Sequence, residues 1–130
     1  MKKLLLVLMV FAGVLAYANT NSIDEKILKT FKEAFPTAEK VTWYEENGNY
    51  EVLFTCDDVK CRMWYNNKGD AMKTMRYYTE KNLCPLVLTK IKKNFADKRI
   101  FGITEVSTNA GTSYNIILED ATKWYHVLVD

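Results

Sequence analysis

Reactive chemistry has little to work with in this chain. It holds one histidine, His126, and no Gly-rich phosphate loop, no Gly-x-Ser-x-Gly elbow and no Gly-x-Gly-x-x-Gly fingerprint. Those absences remove the usual sequence signatures of nucleotide binding, serine hydrolysis and dinucleotide binding. A lone histidine with Cys56, Cys61 and Cys84 does not make a standard zinc ligand set, so neither metal nor cofactor is expected. A Cys/His nucleophile pair would need His126 and a thiol in one exposed cleft, and no local signature supports it. His126 alternates with Trp124 and Leu128, which predicts a buried or half-buried core position. The paired acids Asp57-Asp58 and Glu119-Asp120 fall at expected turns, where Asp closes local hydrogen bonds. The chain reads as a non-enzyme.

Charge of one sign is missing too. Lys2 and Lys3 alone account for the excess of 18 Lys and Arg over 16 Asp and Glu, so no net pull toward nucleic acid or an anionic membrane remains once they leave. Lys90, Lys92, Lys93, Lys98 and Arg99 form the one basic cluster and read as a solvated helix face. After residue 15 no apolar run approaches the roughly 20 residues a membrane span needs. What is present is core material: 48% hydrophobic and 13% aromatic residues, enough for one domain of ordinary size.

The start of the chain has the form of a secretory signal. Met1-Lys2-Lys3 is a cationic head, residues 4–15 are apolar, and Ala16-Tyr17-Ala18 supplies a small-x-small cleavage site. Cleavage after Ala18 is expected, giving a periplasmic or secreted protein. No cysteine follows the cut, so no lipid anchor is expected.

Residues 19–130 read as a single domain in which one unit is written twice, at about 22–80 and 83–130. Ser22-Ile23-Asp24-Glu25 has the form of a capping box. Ile27, Leu28, Phe31, Ala34 and Phe35 then recur at helical spacing until Pro36 forbids continuation. Pro85 can open a second helix without losing a hydrogen bond. Val87, Leu88, Ile91 and Phe95 repeat the first stripe at a constant offset of sixty residues. After each helix the period becomes two. Strands are expected at 41–45, 50–56, 60–65 and 71–79, then at 100–106, 114–119 and 123–129, divided by Asn-, Asp- and Gly-rich turns. The order αββββαβββ excludes a doubly wound parallel sheet, which needs a crossover between successive strands. The expected fold is α+β, an antiparallel sheet with helices on one face.

Phe35-Pro36, Val41-Thr42-Trp43, Tyr50-Glu51-Val52-Leu53-Phe54, Lys68-Gly69 and Leu83-Cys84-Pro85 together resemble the PepSY-like, β-lactamase-inhibitor-like exported proteins. The likeness runs from Ser22 to Asp130. It departs at Cys84, where the family commonly has leucine, and at Cys56 and Cys61, which are outside the pattern. The resemblance implies helices on one side of a sheet and, as in the β-lactamase inhibitor protein, a concave sheet face that grips an enzyme.

Cys56 and Cys61 flank the turn at residues 57–60, which places them on adjacent strands of an exported protein; a disulfide between them is expected. Cys84 is left as a small buried apolar residue. If Val41, Trp43, Tyr50, Val52, Phe54, Met63 and Tyr65 point to the helices, alternation sends Thr42, Tyr44, Glu51, Leu53, Arg62 and Trp64 to the open side. Extending the rule adds Arg76, Tyr78, Ile117, Tyr125, Val127 and Val129. From these, Tyr44, Leu53, Arg62, Trp64, Tyr78 and Tyr125 form the candidate protein-binding face, since Tyr, Trp and Arg are enriched at binding hot spots. The partner expected is another envelope or secreted protein, and nucleic acid is not. The alternative is a carrier of a small ligand or peptide in a pocket between helices and sheet.

Overall fold

The computed structural model describes residues 23–130. The expected leader 1–18, its cleavage after Ala18 and the capping residue Ser22 lie outside the described residues. Helix α1 (Glu25–Ala34) is capped by Asp24, whose carboxylate accepts from the Lys26 N–H at 2.7 Å. Asp24, rather than Ser22, is therefore the N-cap; its negative charge also suits the positive end of the helix dipole. At the other end the Phe35 N–H donates to the Phe31 carbonyl at 2.9 Å, and Pro36 has no N–H to continue the ladder. Helix α2 (Pro85–Asn94) ends the same way sixty residues on, with the Phe95 N–H on the Ile91 carbonyl at 2.9 Å.

Seven strands follow the helices: β1 (Glu39–Glu46), β2 (Asn49–Cys56), β3 (Val59–Tyr65) and β4 (Ala71–Tyr78) after α1, then β5 (Arg99–Thr108), β6 (Gly111–Glu119) and β7 (Trp124–Val129) after α2. They form one antiparallel sheet in chain order. The α+β helix-plus-strands unit thus occurs twice in a single continuous sheet, joined where β4 pairs with β5. Two-residue turns close the first hairpins. Asn47-Gly48 and Asp57-Asp58 all have positive φ, the conformation that matches the twist of paired strands.

Both helices pack on one face. Under α1, Ile27 and Phe31 bury against Trp43, Val52, Phe54, Met63 and Tyr65. Phe31 meets Trp43 and Phe54 edge to face, with centroids 5.2 and 5.0 Å apart. Under α2, Ile91 and Leu83 bury against Tyr78, Ile103, Ile116 and Leu118. Val52 and Ile116, central in the two cores, have no exposed surface.

Three irregularities alter the alternation. Trp64 pairs with Lys73 while Tyr65 pairs with Ala71, so Met72 is an extra residue in β4. Ile100 pairs with Leu118 while Gly102 pairs with Ile117, so Phe101 is extra in β5. A similar shift in β1 lies between Glu39 and Thr42, where Lys40 has a φ of 52°. Val41, expected against the helix, sits in that bulge and is exposed. Each such residue inverts which side chains face which way along the rest of its strand.

Gly69 closes the β3–β4 turn with a φ of +86°, and a Cβ there would lie 3.2 Å from Ile27 Cγ1. Gly69→Ala should therefore cost about 1–3 kcal/mol through the left-handed backbone alone, with the Ile27 contact adding to it. Urea denaturation checks this; an unchanged midpoint would contradict it.

Candidate functional site

The open face, opposite the helices, is built from alternate residues of every strand. Thr42 and Tyr44 of β1 pair with Leu53 and Glu51 of β2, and these pair with Arg62 and Trp64 of β3. Arg62 and Trp64 pair in turn with Met75 and Lys73 of β4, and Lys60 with Tyr77. Two cations lie against Trp64: Lys73 Nζ 4.8 Å and Arg62 Cζ 5.7 Å from its ring centre. Arg62 Nε also reaches Glu51 Oε1 at 3.1 Å. Cations near an aromatic ring are attracted to its negative face. A hollow of about 370 Å³ opens beside it, lined in part by Tyr44, Tyr50, Glu51 and Trp64.

A second aromatic group lies at the other end of the sheet. Phe101, expelled by its bulge, stacks on Trp124 with ring centres 5.0 Å apart. His126 pairs with Ile117, and Leu128 with Asn115. Trp124 is 65% exposed and Leu128 61%.

Of the expected face, Tyr44, Leu53, Arg62 and Trp64 share the open side, and two residues do not. Tyr78 is buried in the α2 core, because the extra residue Met72 inverts β4; Arg76 turns with it. Tyr125 also points to the helix side, paired with Leu118, and carries Val127 and Val129 with it. In β7 both alternating sets are apolar, so periodicity could not choose between them; the turn before it does. By the same inversion His126 is exposed on the open face rather than in the core. The bulges are also why Lys73, Met75, Tyr77 and Phe101 were missing from the expected face, and the unread phase of β7 is why Trp124 was. The nearest signal in the sequence was the stretch 124–129, which has apolar or aromatic residues on both alternating sets with His126 as the one exception.

The cysteines are free. A two-residue turn sets Cys56 opposite Val59 and Cys61 opposite Phe54, so the two cysteines are diagonal rather than directly opposed, a spacing of roughly 7–8 Å between such residues, longer than the usual Cα separation across a disulfide. The expected bridge is therefore absent. Both thiols lie on the helix side, with the sheet between them and His126, and no Cys/His site is assembled.

Where the two cores meet on the helix side, a cavity of about 500 Å³ is lined by Phe35, Phe54, Val59, Met63, Cys61 and Arg76. Arg76 Nη1 donates to Glu105 at 3.2 and 3.4 Å, and the Tyr78 hydroxyl donates to the same carboxylate. Burial and the bond to Glu105 hold the Tyr78 phenol above its usual range. Burial pushes the Cys61 thiol up as well, against the pull of Arg76. Among the described residues, no cluster of three or more His, Cys, Asp or Glu could hold a metal, and no helix is long and apolar enough to cross a membrane.

No protein-family model matches the chain, and no curated protein matches it. Solved structures do. A BLIP-like protein from Bacteroides fragilis superposes with a TM-score of 0.62 over 81% of this chain and 77% of its own, at 16% identity. A DUF2874 family protein from Bacteroides uniformis gives 0.61 over 82% and 80%, at 15% identity. A protein from Bacteroides eggerthii, named as a candidate periplasmic one, gives 0.60 over 81% and 79%, at 16% identity. The chain has the BLIP-like fold. None of these names describes an enzyme, and at such identities the likeness carries the fold and not an activity.

In this BLIP-like sheet the phase of β7 is fixed by Asp120. Its Oδ1 accepts from the Thr122 N–H and hydroxyl, both at 2.8 Å, and from the Lys123 N–H at 3.1 Å, while Oδ2 accepts from the Tyr125 hydroxyl at 2.6 Å. Those bonds, the Tyr125 hydroxyl first, hold the Asp120 carboxyl well below the usual carboxylate range. A depressed folded pKa contributes stability that is present above the unfolded value, near 3.9, and is lost as pH falls through the folded one. Removing the phenol by Tyr125→Phe should raise the Asp120 titration midpoint toward the ordinary value. An NMR titration of the Asp120 carboxyl checks this, and an unmoved midpoint would contradict it.

Proposed function

We propose that this chain is an exported, non-enzymatic binding module that engages another envelope or secreted protein through its open sheet face. One observation carries the reading. Of the eight large hydrophobic residues exposed among those described, Tyr44, Tyr77, Phe101, Trp124 and Leu128 share that one face. Single exposed apolar side chains are ordinary, but the gathering of five of the eight on one face supports a contact surface there. Aromatic and Arg side chains are the residues that carry binding energy at interfaces, because each covers a large area while keeping a polar handle. The signal-like start and the neighbour named for the periplasm support export. The BLIP-like neighbour supports an inhibitor-like grip of the sheet on its target.

Capture from envelope extract with the purified protein, compared with a Tyr44→Ala/Trp64→Ala variant of matching circular dichroism, identifies the partner. Titration of that partner should show the variant weaker by about 2 kcal/mol or more, roughly 30-fold, the loss expected for hot-spot aromatics. Equal recovery and equal affinity would count against this face.

The helix-side cavity favours a second reading, carriage of a small ligand or peptide. Its volume of about 500 Å³ lies within the range of small-molecule sites. A ligand at a hundred times its dissociation constant should stabilise the fold by about 2.7 kcal/mol. Thermal melts against short apolar peptides and small amphiphiles test this, and a flat response across the set would contradict it.

A further inference from the structure

The two edges of the sheet are built differently. β1 carries Glu39, Lys40, Glu45 and Glu46, and its ladder is broken by a bulge at which Lys40 takes a φ of 52°. Charge and bulges are the means by which an edge strand is kept from pairing with another chain. β7, Trp-Tyr-His-Val-Leu-Val, has no Lys, Arg, Asp, Glu, Pro or Gly, and its six pairs with β6 run without a register shift. Its outer row of N–H and C=O groups has no partner strand among the described residues.

The repeat indicates what belongs there. Lys60, Cys61, Met63 and Tyr65 of β3 correspond, sixty-four residues on, to Trp124, Tyr125, Val127 and Val129 of β7, with the same members facing the helices. In the first unit the outer edge of β3 is covered by an antiparallel strand, β4. No strand among the described residues covers the equivalent edge of β7.

We infer that β7 pairs antiparallel with β7 of a second copy about a twofold axis through His126, joining the two sheets edge to edge. Residues directly opposite each other in a ladder share a face, so this axis places both open faces on the same side. The register sets Trp124 of each copy against Leu128 of the other, covering the two most exposed large apolar residues of the sheet, and sets Tyr125 against Val127 on the helix side. No like charges oppose each other within the strand. At the ends of the ladder Lys123 of one copy falls opposite Val129 of the other and Asp130 opposite Thr122, so no like charges are brought together there. Phe101, stacked on Trp124, extends the apolar strip across the junction. The two open faces then form a single surface twice as wide, independent of what that surface binds.

Light scattering behind size exclusion, with the purified protein at concentrations rising through the micromolar range, should show the mass moving from one copy to two. Leu128→Lys places a charge on an exposed side chain that the isolated fold does not need. It should weaken the dimer at least tenfold while leaving the circular dichroism unchanged, and the melting temperature unchanged at concentrations where the parent protein is also a single copy. His126→Cys brings two thiols together on the axis and should give a covalent dimer on a non-reducing gel under mild oxidation, where the parent protein, with its three cysteines, gives none. A protein that stays at one copy throughout the range overturns the inference. So does a dimer that survives Leu128→Lys and is not trapped by His126→Cys, since its interface is then elsewhere.

Discussion

Two rows of apolar side chains crossing the sheet, each buried under one helix, hold the molecule together. Trp43, Val52 and Met63 stand side by side across β1, β2 and β3 beneath α1. Tyr78, Ile103, Ile116 and Val127 stand side by side across β4, β5, β6 and β7 beneath α2. Each fully buried aliphatic in such a row contributes about 1.5–3 kcal/mol, so the rows outweigh any single polar contact here. Because successive side chains of a strand alternate, placing these rows under the helices sends every other residue to water. The open face is thus a by-product of the core, and its composition is what evolution was free to choose.

The join between the halves is polar. Arg76 and Tyr78 of β4 converge on Glu105 of β5, on the helix side where the two cores approach each other. Such a partly buried ion pair adds little net stability, yet leaving one member unpaired is costly. Its effect is to favour one alignment of β4 on β5, and with it one alignment of the two units. Cys61 touches both cores beside this cluster, and the neighbouring cavity is where packing between the units is incomplete.

Much of this architecture was legible in the chain. Phe35-Pro36 and the matching Phe95 marked the helix ends, because a proline and a stripe of period near four leave little choice. The Asn-, Asp- and Gly-rich turns located the hairpins, and the order of elements excluded a parallel sheet. Half of the open face was not legible, for a local reason. Met72 and Phe101 are single extra residues, and a period-two pattern continued past a bulge reports the wrong face from there on. That is how Tyr78 was expected in water and Tyr77 was overlooked. In β7 the failure was different: Tyr125, Val127 and Val129 are as apolar as Trp124, His126 and Leu128, so only the turn at Asp120 decides the phase. The cysteine pairing failed on a turn two residues shorter than the loop assumed, which moves Cys61 opposite Phe54.

Which side chains meet water is therefore the central claim, and hydroxyl-radical footprinting read by mass spectrometry tests it most directly. For the protein as a single copy the account predicts rapid labelling of Tyr44, Tyr77, Trp124 and Leu128, with Trp43, Phe54, Tyr65 and Tyr78 protected in the native protein and labelled only on unfolding. Protection of Trp124 and Tyr77 under conditions where the protein is a single copy, together with labelling of Trp43 and Tyr78, would mean that the helices cover the opposite side of the sheet.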